Sequence, residues 1–353
     1  MSLREITTAQ IAAQGPMRLD DYISMCLLHP AHGYYTTRTP FGTQGDFITA
    51  PEISQMFGEL IGLSLAQAWL DQGAPAPFTL AELGPGRGTL MADVLCAASR
   101  VAGFVEAAQI TLLEASPALR QTQAETLHAY SPKWIDSIED LAERPTYLIA
   151  NEFFDALPIR QFVRDGTLWR ERQIGLVDDE LAFGLGPAQA QPALAHRLED
   201  TKDGDLIEDC AAAAPILTTV ANRISTNGGA ALIFDYGDWR SVGDTLQAIQ
   251  DHAPTDPLAA PGHADLTAHV DFEALINATK SCIPSRITPQ GVFLERLGIT
   301  QRATTLAKTL TGPALDSHIA AHRRLTHPQE MGNLFKTFGI VPKGTAMLPG
   351  LKT

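Results

Sequence analysis

Residues 78–89, Phe-Thr-Leu-Ala-Glu-Leu-Gly-Pro-Gly-Arg-Gly-Thr, constrain this chain more than any other stretch. Phe78 to Leu83 is a short apolar run that reads as a buried strand, broken by Gly84, Gly86 and Gly88 at alternate positions. Leu90, Met91, Val94 and Leu95 then recur at helical spacing. The pattern is a strand, a tight turn and a helix N-terminus. Such a turn aims backbone N–H groups and the positive end of a helix dipole at a ligand. Glycine suits it because a Cβ would hold the ligand off and because the turn calls for positive φ. The spacing separates kinds of nucleotide site. A phosphate-binding loop would place Lys-Ser/Thr after its last glycine, and Thr89-Leu90 stands there instead. A dinucleotide fingerprint needs Gly-x-Gly-x-x-Gly, but Thr89 takes the last position.

Gly-x-Gly-x-Gly preceded by Glu82 resembles the first motif of Rossmann-like S-adenosylmethionine (SAM) methyltransferases, where no pyrophosphate needs cradling. A second element agrees with it. Gln109 to Ser116 forms an apolar strand ending in Glu114, one βαβ unit further on. In a doubly wound sheet an acid there lies beside the first glycine turn and can accept from both ribose hydroxyls. Glu114 is not needed as a mere helix cap, because Ser116 suits that position.

At 353 residues, 45% hydrophobic and 19% charged, the chain can bury a large core. A net charge of −14 argues against nonspecific binding to nucleic acid or an anionic membrane, and suits a basic protein substrate. Cys26, Cys96, Cys210 and Cys282 are scattered, form no CxxC pair and read as reduced. No apolar run reaches the length of a membrane span. Neither a signal nor a transit peptide is evident, so the expected location is cytoplasmic. His318 and His322 stand i, i+4 without a third ligand, so no metal site is expected.

Along the chain, residues 17–28 carry helical spacing, 31–50 form a polar loop, and a helix is expected from Pro51 to Gly73. Strands are expected at 78–83, 109–114, near 134–138 and at 146–150, and a β-meander over 159–183. A helix at 216–224, a buried strand at 230–235, a strand at 244–249 and an irregular, Pro-rich 251–262 follow. A helix at 271–279, a strand near 285–288, helical pieces over 291–325 and a last strand at 334–341 complete the reading. The expected fold class is α/β: a Rossmann-like class I sheet with an N-terminal helical and loop extension and inserted β-meander and helical segments. Two units are expected: an extension carrying an active-site loop (1–77) and a methyltransferase domain (78–353) with an insertion around 159–225.

Methyl transfer from a sulfonium is an in-line displacement that rests on positioning, nucleophile deprotonation and exclusion of water. Ligands of an open α/β sheet lie outside the carboxyl ends of its strands. Asn151, Glu152 and, one helical turn on, Asp155 directly follow strand 146–150 and would meet the methyl group. Two carboxylates there suit a guanidinium, whose forked N–H donors match carboxylates two at a time.

Six motifs in order then resemble one family. They are Gly45-Asp46-Phe47-Ile48-Thr49-Ala50-Pro51-Glu52-Ile53-Ser54, Phe57-Gly58-Glu59, Glu82 to Thr89, Asn151 to Pro158, Asp235-Tyr236-Gly237 and Ala264 to Phe272. The match, from about residue 15 to 340, is to the MidA family of SAM-dependent methyltransferases, whose mitochondrial members are complex I assembly factors that dimethylate an arginine of a complex I subunit. The resemblance implies SAM as donor, S-adenosylhomocysteine as product and protein arginine methylation as the activity. It implies cofactor contacts at Glu82, Gly84, Gly86, Gly88, Glu114, Asn151, Gly45 and Phe47, and candidate catalytic residues at Glu152, Asp155, Asp46 and Glu52. A second kind of function, an assembly factor that binds a partner and SAM with little turnover, stays open. Intact acids at Glu114, Glu152 and Asp155 favour the enzyme.

Overall fold

The computed structural model describes residues 1–37 and 49–353. Its central sheet comprises β1 Phe78–Leu83, β2 Ala108–Leu113, β3 Lys133–Ile135, β4 Thr146–Asn151, β5 Gly229–Asp238, β6 Ile283–Pro284 and β7 Phe335–Val341. Their order is β6-β7-β5-β4-β1-β2-β3. β3, β2, β1, β4 and β5 run parallel, and β7 lies antiparallel on β5. β1 and β4 are buried at every position, as parallel strands covered on both faces must be, so they read as apolar runs without alternation. Strand order reverses between β1 and β4, which opens the crevice at their carboxyl ends.

One face packs on helices Gln55–Asp71 and Thr89–Ala98 through Phe57, Ile61, Leu65, Leu90 and Val94. The other packs on helices Ala213–Asn227 and Phe272–Asn277 through Leu217, Val220, Ile224 and Phe272. The helix expected as one piece from Pro51 is two. Ala50–Ile53 ends at Ser54, which is extended (φ −162°, ψ 135°) and caps Gln55–Asp71 by accepting from the Met56 N–H. A serine cap outcompetes helix continuation there and leaves Glu52 on a short turn above the glycine loop.

The expected meander is Arg160–Asp165, Leu168–Val177 and Glu180–Gln189, with Asp178 and Asp179 both at positive φ in the second turn. Leu206–Asp209 and Met17–Arg18 complete this sheet, so the N-terminal segment is hydrogen-bonded to the insertion. Leu19, Tyr22, Ile23 and Cys26 of helix Leu19–Leu28 share a core with Ile174 and Leu266. The N-terminal helix Leu3–Gln14 escaped the apolar periodicity because its buried stripe is only Leu3, Thr7 and Ile11; its signal is the Ser2/Glu5 capping box.

Residues 251–262, expected to be irregular, contain strand Ala253–Thr255, paired with Gln247–Gln250. The turn between them uses Asp251 and His252 at positive φ, without the glycine that usually betrays such a hairpin. Among the described residues no helix is long and apolar enough to cross a membrane.

β5 must approach β4 closely for both to deliver their last residues to the crevice. Gly229 opens β5 at φ 114°, and a Cβ there would stand 1.9 Å from the Thr146 carbonyl oxygen. Gly229→Ala should cost about 3 kcal/mol or more, from the clash together with the positive φ. Chemical denaturation checks this, and a loss below about 1 kcal/mol would show that the strands separate freely.

Candidate active site

At the carboxyl ends of β1, β2 and β4 lies a two-armed cleft. The wider arm, about 340 Å³, is walled by Leu113, Glu114, Leu119, Phe153 and Leu157, with Leu27, Leu28 and Tyr35 of the N-terminal extension also lining it. The narrower, polar arm, about 40 Å³, is lined by Thr49, Glu82, Arg87 and Asn151. Gly84, Gly86 and Glu152 line both.

The glycine turn hugs the sheet. Gly84 N–H donates to the Leu113 carbonyl at 3.0 Å and Gly88 N–H to the Pro85 carbonyl at 2.7 Å. Gly84, Gly86 and Gly88 have φ of 63°, 52° and 81°, a region side chains rarely enter. At Gly84 a Cβ would also stand 3.1 Å from the Phe153 ring, which walls the wide arm.

The acids divide by arm. Glu82 in the narrow arm is buried, and its Oε2 has no hydrogen-bond partner among the described residues; nor has Oδ1 of buried Asn151. Burial, with the charge of Glu114 adding, pushes Glu82 up to about 8 against the pull of a backbone bond from Met91. Two unpartnered acceptors in one arm demand a donor, and a cation satisfies them best. Glu114 in the wide arm accepts from Ser116 N–H at 2.8 Å and from the Gln123 amide at 3.0 Å. Burial raises it all the same.

Where the two arms meet, at Glu152, and just beyond, the acids crowd. Glu152, at φ 52°, accepts on Oε1 from Ala50 N–H at 3.3 Å and from the Asn151 amide at 3.1 Å. Burial and the charge of Asp155 push Glu152 up to about 8. Asp155 is buried, its Oδ1 lacks a partner among the described residues, and burial lifts it to about 6. Asp235 spends its carboxylate on the backbone: Phe154 and Asp155 N–H donate to Oδ2 at 3.0 and 3.2 Å, and Tyr236 N–H to Oδ1 at 2.9 Å. Burial, then the charges of Asp155 and Glu152, raise Asp235 well above the carboxylate range. Asp235 therefore braces the turn after β4, while Asp155, also hydrogen-bonded by the Tyr236 side chain, keeps Oδ1 without a partner among the described residues. The positive φ of a non-glycine residue costs about 1–3 kcal/mol and is held here by that bracing.

Of the residues singled out in the sequence, Glu82, Gly84, Gly86, Glu114, Asn151 and Glu152 line the cleft. Gly88 caps helix Thr89–Ala98 behind it, and Asp155 sits one turn beyond Glu152. Glu52 also borders the narrow arm but is engaged, accepting from Thr89 Oγ1 at 2.6 Å and from Arg87 at 3.4 Å. Gly45, Asp46 and Phe47 lie outside the described residues. Asp235 was legible as the end of a buried strand and as part of the Asp235-Tyr236-Gly237 motif, but not as the brace of the turn after β4. Phe153 stood within the Asn151 to Pro158 motif without a role of its own, and Tyr35 gave no signal beyond an aromatic in a loop.

A family model described as "Putative S-adenosyl-L-methionine-dependent methyltransferase" matches residues 60–287. The chain is 36% identical over 363 residues to the mitochondrial protein arginine methyltransferase NDUFAF7 of Bos taurus, covering 94% of this chain and 82% of that one. This chain belongs to that family. The human relative of the same name is 35% identical, with the same coverage. A crystallised superfamily member from Burkholderia thailandensis, bound to S-adenosyl-homocysteine, is 29% identical with a TM-score of 0.85, covering 99% of this chain and 94% of its own. A second crystal structure from that organism, without the ligand in its description, gives 28% and 0.83.

The protein is thus a SAM-dependent methyltransferase of α/β fold, and the cleft fits that cofactor chemically. The unpartnered oxygens of Glu82 and Asn151 suit an α-ammonium, and the apolar walls of the wide arm suit an adenine. Gly86→Val places a β-branched residue at φ 52° in the loop shared by both arms. It should abolish S-adenosylhomocysteine binding in calorimetry while secondary structure by circular dichroism is retained. An unchanged affinity would remove the loop from the cofactor site.

Proposed function

We propose that the chain is a protein arginine N-methyltransferase in which Glu152 and Asp155 hold the guanidinium beside the methyl donor. The observation that carries the reading is Glu152 lining the cleft just after β4, with buried Asp155 one turn beyond it, whose Oδ1 has no partner among the described residues. Such oxygens are costly to bury and suit a forked cation that can donate to both. The relatives named protein arginine methyltransferase agree with it. The family resemblance extends the reading to a subunit of respiratory complex I as the protein substrate. Four free cysteines suit a reducing compartment, which we take to be a bacterial cytoplasm.

In this mechanism Glu82 and Asn151 would hold the ammonium of SAM, Glu114 would accept from its ribose hydroxyls, and the turn at Gly84 and Gly86 would admit it close to the backbone. SAM supplies a methyl group on a positive sulfur. Glu152 and Asp155 fix the plane of the guanidinium so that one nitrogen faces that methyl. As the new N–C bond forms, the bond from that methyl to the sulfur would break with its electron pair left on the thioether product, and the nitrogen must shed a proton. Glu152, raised to about 8, is poised near neutral pH to receive it. The product arginine keeps one positive charge, and once Glu152 holds the proton, Asp155 remains to stabilise that charge.

Glu152→Gln keeps size and one acceptor but removes the charge. Methyl transfer should fall by about two to four orders of magnitude while S-adenosylhomocysteine still binds. A near-normal rate would make Glu152 structural. Methylated arginines that vanish from the proteome of a deletion strain and return with the wild-type gene, but not with Glu152→Gln, identify the target by mass spectrometry. Methyl groups found only on other residue types would overturn the arginine assignment.

The pH dependence has a definite sign. The working form of Glu152 is the carboxylate, and its raised value of about 8 leaves it protonated at lower pH. With SAM saturating, kcat/KM for the protein substrate should therefore climb from pH 6 and level off above about 8, about tenfold per unit at its steepest. Glu152→Gln should lose this limb. A flat wild-type profile over pH 6–9 would contradict the assignment.

A further inference from the structure

The glycine turn and the acid of the wide arm belong to different βα units, yet one side chain ties them together. Gln123 lies on helix Pro117–Thr126 and is buried. Its Nε2 donates to the Gly86 carbonyl at 2.7 Å and to Glu114 Oε2 at 3.0 Å. Its Oε1 accepts from Trp134 Nε1 at 2.7 Å. Both amide hydrogens and the carbonyl are therefore engaged, and turning the amide over would set its oxygen against two acceptors. The helix also runs alongside the turn, since a Cβ at Gly88 would stand 3.6 Å from the Gln123 Cα, at ordinary van der Waals distance. One turn earlier, Arg120 Nε donates to the Glu114 carbonyl at 2.8 Å.

We infer that Gln123 is a positioning residue for the methyl donor, holding the Gly86 turn and the Glu114 carboxylate at a fixed separation so that both arms of the cleft are formed before the ligand arrives. Glu114 and the Gly86 carbonyl are both acceptors and do not attract each other. Without a donor between them the carboxylate would be buried with one bond fewer and free to turn from the ribose. Trp134, on β3, fixes the orientation of the amide and thereby which of its ends faces the cleft. Preorganisation of this kind acts on affinity, because ordering that is already done need not be done on binding. Gln123 does not touch the guanidinium side of the site.

The inference rests on SAM occupying this cleft, and calorimetry with S-adenosylhomocysteine separates the two. Gln123→Met keeps length and removes all three hydrogen bonds, so the dissociation constant should rise about ten- to a hundredfold, the scale of losing a buried bond to a charged group. Gln123→Glu keeps the shape and the Trp134 bond but sets an acceptor against two acceptors. It should bind as poorly at pH 8 and recover toward wild type at pH 6, as the introduced carboxyl protonates and donates again. A role in general stability alone would not produce that recovery. If Gln123→Met fails to fold, Trp134→Phe tests the same link and should weaken binding several-fold. Binding within twofold of wild type in Gln123→Met, or in Trp134→Phe where the methionine variant does not fold, would overturn the inference and leave the cofactor assignment standing. So would a pH-independent defect in Gln123→Glu. Absence of binding by the wild-type protein would overturn both.

Discussion

Burial of like charge at the carboxyl edge of the sheet is the constraint on which the rest of this structure depends. Glu82, Glu114, Glu152, Asp155 and Asp235 all sit where β1, β2, β4 and β5 end, and burial is the leading cause that raises each of them. An isolated buried carboxylate costs several kcal/mol unless it is neutralised or hydrogen-bonded. The protein answers differently at each position. Asp235 is supplied with backbone N–H donors, and Glu114 with Ser116 and Gln123. Glu82 and Asp155 each keep an oxygen without a partner among the described residues. That residual demand is what an ammonium on one side and a guanidinium on the other would meet.

The additions to the sheet follow from the same constraint. Acids this close to solvent would titrate at ordinary values, so they must be roofed. Met17–Arg18 pairs with the inserted meander, which fixes helix Leu19–Leu28, and Leu27, Leu28 and Tyr35 then line the wide arm. Tyr35 is itself tied down, its hydroxyl donating to Asp265 at 2.9 Å. On the opposite side, Ala50 N–H reaches Glu152 and Glu52 reaches Thr89 and Arg87, so the short turn before helix Gln55–Asp71 braces both the glycine loop and the acid after β4. Extension and insertion, distant in sequence, thus act on one cleft.

The sheet was legible because its strands are buried on both faces and so stand out as apolar runs between glycine and acid: Phe78–Leu83 into Gly84, and Thr146–Ala150 into Asn151-Glu152. The place of Glu114 at the cleft was legible because strand ends are where open sheets place ligands, whereas Asp155, singled out on the same ground, sits one turn beyond the cleft lining. What stayed hidden depends on contacts between distant segments. Nothing local marks Glu52 as a partner of Thr89, because that bond exists only once Ser54 has ended the preceding turn. Gln123 looks like any polar helix residue until Gly86, Glu114 and Trp134 are brought around it. The hairpin at Asp251-His252 lacked a glycine, and helix Leu3–Gln14 lacked a broad apolar face.

The claim that these acids are kept unpaired for cationic ligands is tested most directly by counting protons. At pH 7 Glu82, raised to about 8, is mostly protonated, and an ammonium placed against it favours the carboxylate, so binding must expel a proton. Calorimetric titration with SAM in two buffers of different ionisation enthalpy measures that number. The account predicts release approaching about one proton per site, largely lost in Glu82→Gln. A binding enthalpy independent of buffer, or uptake of protons by the wild-type protein, would contradict it.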